Sequence, residues 1–140
     1  MKILVDTNVI IDALTSREPW NENAEKIFIM AANNIVEMNI TASSATDIYY
    51  LVRKYMHNTE TAKQIMGKLY SLAGILDVTE ADCIEALASP ISDYEDAVIE
   101  QVARRTRIDY IVTRNQKDYK EGIIKVMLPN EFIKFMEQSE

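Results

Sequence analysis

The sequence predicts an α/β domain built on a parallel sheet with helices on both faces. Short apolar runs of strand length alternate with longer stretches whose apolar residues recur every three or four positions, the pattern of strands joined by crossover helices. The chain has 140 residues, 48% of them hydrophobic and 26% charged. That length suits one domain burying about two thirds of its unfolded surface. A single domain over residues 1–140 is therefore expected.

The elements follow in order. Lys2-Ile3-Leu4-Val5 reads as a buried strand that ends at Asp6, and Val9, Ile10, Ile11, Ala13 and Leu14 resume at helical spacing as far as Thr15. Arg17-Glu18-Pro19-Trp20 is a loop. Ala24, Ile27, Phe28, Met30, Ala31 and Ala32 give an amphipathic helix over residues 20–33. Residues 37–42 form a second strand with alternating Met38, Ile40 and Ala42. Ser43-Ser44-Ala45-Thr46-Asp47 has the hydroxyl-x-x-acid form of a capping box, which puts Asp47 in the first turn of a helix faced by Ile48, Leu51, Val52 and Tyr55.

Residues 59–72 predict another helix, with Ala62, Ile65, Met66 and Leu69 aligned and Gly74 closing it. Residues 75–78 are a short third strand. Thr79 or Glu80 then starts a helix carrying Ala81, Ile84, Leu87 and Ala88, stopped by Ser89-Pro90. A helix over 92–106 opens with Ser92 and Glu95, again a hydroxyl followed three places later by an acid. Residues 110–113 and 123–127 are the fourth and fifth strands, and Pro129 at a first helical turn begins a last helix through Phe132, Ile133 and Phe135 to Met136.

Composition narrows the function. The net charge of −7 excludes a broad basic surface for nucleic acid, although a local cationic patch beside an acidic metal site remains compatible with a nuclease. One histidine, His57, and one cysteine, Cys83, exclude an ordinary zinc site and any internal disulfide. Cys83 reads as a small buried residue of a reduced compartment. No apolar run reaches the roughly 20 residues of a membrane span, and two aspartates interrupt residues 1–14, so neither a span nor a leader is expected. These readings point to a cytoplasmic protein.

Four acids fall at or just beyond the carboxyl ends of predicted strands, where open α/β sheets bind ligands. Asp6 ends the first strand and Asp47 follows the second. Asp118 follows the fourth in Thr113-Arg114-Asn115-Gln116-Lys117-Asp118. On the helix over 92–106, a step of 100° per residue groups Val98, Ile99, Val102 and Ala103 on one arc, with Asp96 just past its edge and Asp93 further round. Each acid alone has a structural explanation: Asp6 as a helix cap, Asp47 in its capping box, Asp96 complementing a helix dipole, and Asn115 with Asp118 as a cap and its acid. Together they require four coincidences at one end of one sheet. Carboxylates gathered in a pocket repel one another, and a hard divalent cation such as Mg²⁺ or Mn²⁺ relieves the repulsion while keeping waters for chemistry.

Val5-Asp6-Thr7-Asn8, the acid after Ser43-Ser44, Asp93-x-x-Asp96-Ala97 and Thr113-Arg114-Asn115-x-x-Asp118-Tyr119 resemble the ordered motifs of PIN domains across the whole chain. The resemblance implies a three-layer sandwich with strand order 3-2-1-4-5 and Mg²⁺- or Mn²⁺-dependent ribonuclease activity. A chain of this size looks most like the VapC-type toxins of toxin–antitoxin pairs. That likeness implies an RNA substrate, an antitoxin protein as partner and a homodimer, with no membrane association. By the same resemblance Asp6 and Asp96 are direct metal ligands, Asp47 and Asp118 complete an acidic quartet, and Asn8, Asp93, Thr113 and Asn115 support it. One departure is Asp47, where many members carry Glu, one methylene longer.

Arg114 and Lys117 flank the last motif and are candidates for substrate phosphate, with solvated loop charges as the alternative. Arg104, Arg105 and Arg107 end a helix and complement its dipole. Tyr49, Tyr50 and Tyr55 are read as packing residues, with base stacking the alternative, and His57 as a surface residue. Rival acid-pocket folds fit poorly. A receiver domain lacks its third-strand Asp and fifth-strand Lys here, and a haloacid-dehalogenase-like phosphatase would need a second Asp where Asn8 stands. The alternative from a different class is a PIN-fold binding module that docks a protein or RNA without turnover.

Overall fold

Strand β1 (Lys2–Val5) lies at the centre of a five-stranded parallel sheet of order β3-β2-β1-β4-β5, formed with β2 (Glu37–Thr41), β3 (Ala73–Leu76), β4 (Tyr110–Val112) and β5 (Val126–Met127). The computed structural model describes residues 1–139. Its helices are α1 (Thr7–Leu14), α2 (Asn21–Ala32), α3 (Ala42–Met56), α4 (Thr59–Leu72), α5 (Glu80–Ala86), α6 (Tyr94–Arg105) and α7 (Pro129–Gln138). A 3-10 turn (Gln116–Tyr119) joins β4 to β5.

Side chains of successive strand residues point to opposite faces, so β1 feeds two cores. Ile3 and Val5 pack with Val9, Ile27, Ile40, Ile48 and Phe132. Leu4 faces the other way and packs with Ile99, Val102, Ile111 and Tyr119. Helices thus cover both faces, and the strand order expected from the motifs is the one found. The connections from β1 lead to one side and β4 pairs on the other, so the topological switch point lies between the carboxyl ends of β1 and β4.

Several boundaries differ from expectation, each for a local reason. Thr41, not the Ser43-Ser44 pair, caps α3: its hydroxyl accepts the Ser44 N–H at 3.2 Å. The helix therefore starts earlier, and Asp47 is its sixth residue, exposed in the second turn rather than part of a capping box. Asp93, not Ser92, caps α6 by accepting the Asp96 N–H at 3.0 Å. Gly74 does not close α4, because Ala73 passes directly into β3. A Cβ on Gly74 would stand 2.5 Å from Oδ1 of buried Asn39, whose Nδ2 donates to the Ile3 carbonyl, so close strand approach needs glycine there. The third strand begins two residues earlier than read, and the fifth is confined to Val126–Met127. Buried Glu100 accepts the backbone N–H groups of Ile123 and Ile124 at 2.7 and 3.3 Å, holding that segment outside the sheet ladder. Cys83 is half-buried rather than buried. No helix among the described residues is long and apolar enough to cross a membrane.

Candidate active site

The end of β1 turns at once into α1, and Asp6 occupies the junction. Its N–H pairs with the Val112 carbonyl of β4 at 2.9 Å, which ties it to the switch point. Its Oδ1 accepts the Thr7 N–H at 2.8 Å, so the helix-cap reading of Asp6 is correct as far as it goes. Oδ2 accepts the Thr113 hydroxyl at 2.9 Å and the Tyr119 hydroxyl at 3.3 Å. These bonds occupy Oδ2 and leave Oδ1 a free lone pair. Burial pushes the Asp6 pKa up, against the pull of these bonds, and the charge of Asp118 adds to the rise.

Thr113 is fully buried and fully used. Its hydroxyl donates to Asp6 and accepts from Asn8 Nδ2 at 3.3 Å and from the Asn115 N–H at 3.1 Å. Asn8 Oδ1 in turn accepts the Arg114 N–H at 3.2 Å. The loop after β4 is thereby pinned to α1 through Asn8, Thr113 and Asn115.

Asp96 arrives from α6. Its Oδ1 accepts the Tyr119 hydroxyl at 3.1 Å, while among the described residues no hydrogen bond engages Oδ2. One buried hydroxyl therefore faces both Asp6 and Asp96. Partial burial and then the charges of Asp6 and Asp93 push the Asp96 pKa up to about 7. Between these two carboxylates the Tyr119 phenol is driven well above its usual range by burial and by their charges, so it remains a donor.

Asp6, Asp93, Asp96, Asn115 and Asp118 line one open cavity of about 1050 Å³. Asp118 is exposed on the 3-10 turn, and its charge reaches both Asp6 and Asp96. Asp47 does not line the cavity; it lies near enough that its charge, after partial burial, raises the pKa of Glu95. Glu95, read from the sequence only as the acid of a helix cap, does line the cavity. Tyr119 was quoted only as part of a motif, since a tyrosine gives no signal of which acids its hydroxyl will meet.

The two cationic candidates separate from the site. Arg114 points away from the acids: its Nε donates to Asp12 at 2.6 Å, and its guanidinium stacks 3.9 Å over the Trp20 ring. It lines a different, smaller cavity of about 300 Å³, where it pairs with buried Asp12. Lys117 is exposed and does not line the acidic cavity. Arg105 likewise does more than complement a dipole. Burial works to raise the Asp82 pKa, but hydrogen bonds from Arg105 and Thr79 outweigh it and hold that carboxyl low.

Among the described residues no three His, Cys, Asp or Glu side chains converge tightly enough to cage an ion by themselves. The donor set nevertheless fits a hard divalent ion that keeps several waters. It is all oxygen, Asp96 Oδ2 and one Asp6 lone pair are open among the described residues, and burial, followed by neighbouring negative charge, raises both pKa values. Thr7 Oγ1, at the same cavity, is the buried side-chain polar atom without a partner among the described residues. Such an orphan commonly marks a place where water, an ion or a ligand completes the bonding.

Comparison with known proteins agrees with this geometry. No curated protein matches the sequence significantly. Among solved structures, a toxin–antitoxin complex from Klebsiella pneumoniae superposes with a TM-score of 0.67 at 23% identity, covering 91% of this chain and 97% of that one. A DNA-bound VapBC complex from Salmonella typhimurium gives 0.68 at 19% identity over 92% and 98%. VapC20 of Mycobacterium tuberculosis, a sarcin–ricin-loop-cleaving toxin, gives 0.68 at 14% identity over 89% and 98%. At these identities the likeness establishes the fold. The PIN domain family model matches residues 2–117, and with sheet order, acid positions and fold in agreement, the chain belongs to the PIN domain family.

Proposed function

We propose that the protein is a divalent-metal-dependent endoribonuclease that hydrolyses RNA phosphodiester bonds, the toxin of a toxin–antitoxin pair. The observation that carries this reading is the meeting of Asp6, Asp96 and Asp118 in one open cavity at the β1/β4 switch point, with Asp96 poised near neutrality. Membership of the PIN domain family and likeness to a sarcin–ricin-loop-cleaving toxin support RNA as substrate. Likeness to toxin–antitoxin complexes supports an antitoxin partner. A homodimer and a cytoplasmic location complete the proposal.

A bound Mg²⁺ or Mn²⁺ would supply charge neutralisation at the phosphate and a more acidic attacking water. The chain's own residues do the rest. Asp96 Oδ2 and Asp6 Oδ1 would hold the ion, and Thr113 and Tyr119 fix the other carboxylate oxygens of the pair by hydrogen bonds. Asp118, Asp93 and Glu95 add negative charge around the site and are placed to orient water. Asp47 acts at longer range, consistent with its side chain being one methylene short of Glu.

Tyr119 acts as a positioning residue. Tyr119→Phe keeps the buried ring and removes the shared donor, so Mn²⁺ affinity is expected to fall about 10- to 100-fold, as for other groups that orient metal ligands. Titration of Mn²⁺ by electron paramagnetic resonance reads this, and circular dichroism checks that the fold is retained.

The function itself is tested on a mixed pool of single-stranded and structured RNAs at low salt. Products are expected with Mn²⁺ or Mg²⁺ and none with chelator. Asp47, outside the cavity, favours a second reading: a PIN-fold module that docks protein or RNA without turnover. RNA retained but uncut with either metal would select that module.

A further inference from the structure

We propose that the cavity is a charge-graded trough for a short single-stranded RNA segment, in which Arg17 and Lys54 hold a backbone phosphate flanking the one that is cleaved. This rests on the reading of the site as a ribonuclease site and adds the substrate's form and the residues that grip it. None of the motif residues lies in this part of the cavity.

The trough is built from two helices that start beside the acids and run away from them. On α1, Thr7, Ile11 and Thr15 line the cavity at four-residue intervals, one face of the helix. The chain then turns through Ser16 to Arg17, also in the lining. Eight residues of α1 span about 12 Å, so Arg17 stands roughly that far from the carboxylate end. On α3, which packs against α1, Leu51, Lys54 and Tyr55 continue the face that begins at Asp47. Lys54 is about 10 Å along the helix from Asp47. His57 then leaves α3 in the left-handed conformation, φ 56°, and closes the far end of the lining.

Charge changes sign along this path. Asp6, Asp96 and Asp118 crowd one end. At the other, neither Arg17 nor Lys54 makes an ion pair within 4 Å among the described residues, where such pairs are made by Arg105 and Arg114 alone, and the charge of Arg17 reaches only as far as lowering the Asp12 pKa. In a chain of net charge −7, two unpaired cations beside an acid-lined cavity are the local source of attraction for a polyanion. The carboxylates alone would repel the flanking phosphates.

The shape favours a single strand. Asp6 is only 8% exposed, so the cleaved phosphate must enter a concavity, which a splayed strand does more readily than a stacked duplex. Tyr55, 57% exposed at the lining between Lys54 and His57, offers a ring for an unstacked base.

The test is fluorescence anisotropy with a labelled ten-nucleotide single-stranded RNA and its duplex, using the whole protein in chelator so that binding is read apart from turnover. Arg17→Ala/Lys54→Ala is expected to weaken single-strand binding at least tenfold at low salt. It should also flatten the slope of log affinity against log salt by about 0.7, the contribution of one neutralised phosphate on a single strand. Lys68→Ala, an exposed lysine on α4 outside the cavity, should bind as wild type. Wild-type affinity and slope in the double variant would overturn the subsite, as would a duplex bound as tightly as the single strand. Because no cleavage is measured, loss of binding in the double variant upholds the subsite even for a protein that never cleaves RNA. Conversely, metal-dependent cleavage with unchanged binding in the double variant upholds the ribonuclease and removes the subsite.

Discussion

Asp96→Asn and Asp6→Asn are each expected to reduce metal-dependent RNA cleavage by at least about a thousandfold, the scale of losing a group that holds charge at the transition state. Asparagine keeps the shape and the acceptor for Tyr119 but not the negative charge that an ion requires. Without metal, Asp96→Asn should also melt at a higher temperature than wild type. In the folded chain burial, and then the charges of Asp6 and Asp93, push the Asp96 carboxyl up to about 7 from its ordinary value of 3.8. A carboxyl whose pKa is raised by folding is destabilising once the unfolded chain ionises, so wild-type stability falls as pH rises from about 4 to about 7. The variant escapes that loss. Its advantage should be absent below pH 4 and complete above pH 7. Discounted for the partial exposure of Asp96, it amounts to about 1–2 kcal/mol, or about 5 °C in a domain of this size. Melting curves at pH 4 and pH 8 in chelator measure it, and wild-type cleavage by either variant would remove these aspartates from the site.

Arg114→Ala is the second large effect, and it is one of stability. Asp12 is 1% exposed and its only ion-pair partner among the described residues is Arg114, at 2.6 Å. Burial pushes the Asp12 pKa up, and the Arg114 bond and charge oppose that rise. Removing the guanidinium leaves a buried carboxyl compensated only by the charge of Arg17, which puts the cost at the lower end of about 3–5 kcal/mol. Loss of the stacking on Trp20 adds about 0.5–1 kcal/mol. Urea denaturation should show the midpoint falling accordingly, and replacing Asp12 and Arg114 together with Leu and Met should recover most of the loss. A stable Arg114→Ala protein with weakened RNA binding would instead return this arginine to the substrate.

The comparison of Arg114 with Asp96 shows what kind of information the chain carries locally. Asp96 was legible because a helix has a fixed period: once Val98, Ile99, Val102 and Ala103 define the buried arc of α6, the position of Asp96 at its edge follows. Asp6 was legible because an apolar strand ending in an acid places that acid at the carboxyl end of the sheet. Asp47 was misplaced by one turn, because Thr41, Ser43 and Ser44 are all competent caps and only the end of β2 selects Thr41. The Arg114 ion pair was not legible because its partner, Asp12, is 102 positions away in sequence.

Helix and strand periods, cap chemistry and the order of acids at strand ends are properties of neighbouring residues, and they sufficed for the α/β class, the element sequence and the central aspartates. The resemblance of the motifs added the strand order. Pairings across the sheet are of another kind. That one Tyr119 hydroxyl serves both Asp6 and Asp96, that Glu95 joins the cavity, and that Arg17 and Lys54 stand at its far end all depend on how α1, α3, α6 and the 3-10 turn pack together. Such contacts arise from burial summed over both cores, and no short stretch of the chain encodes them.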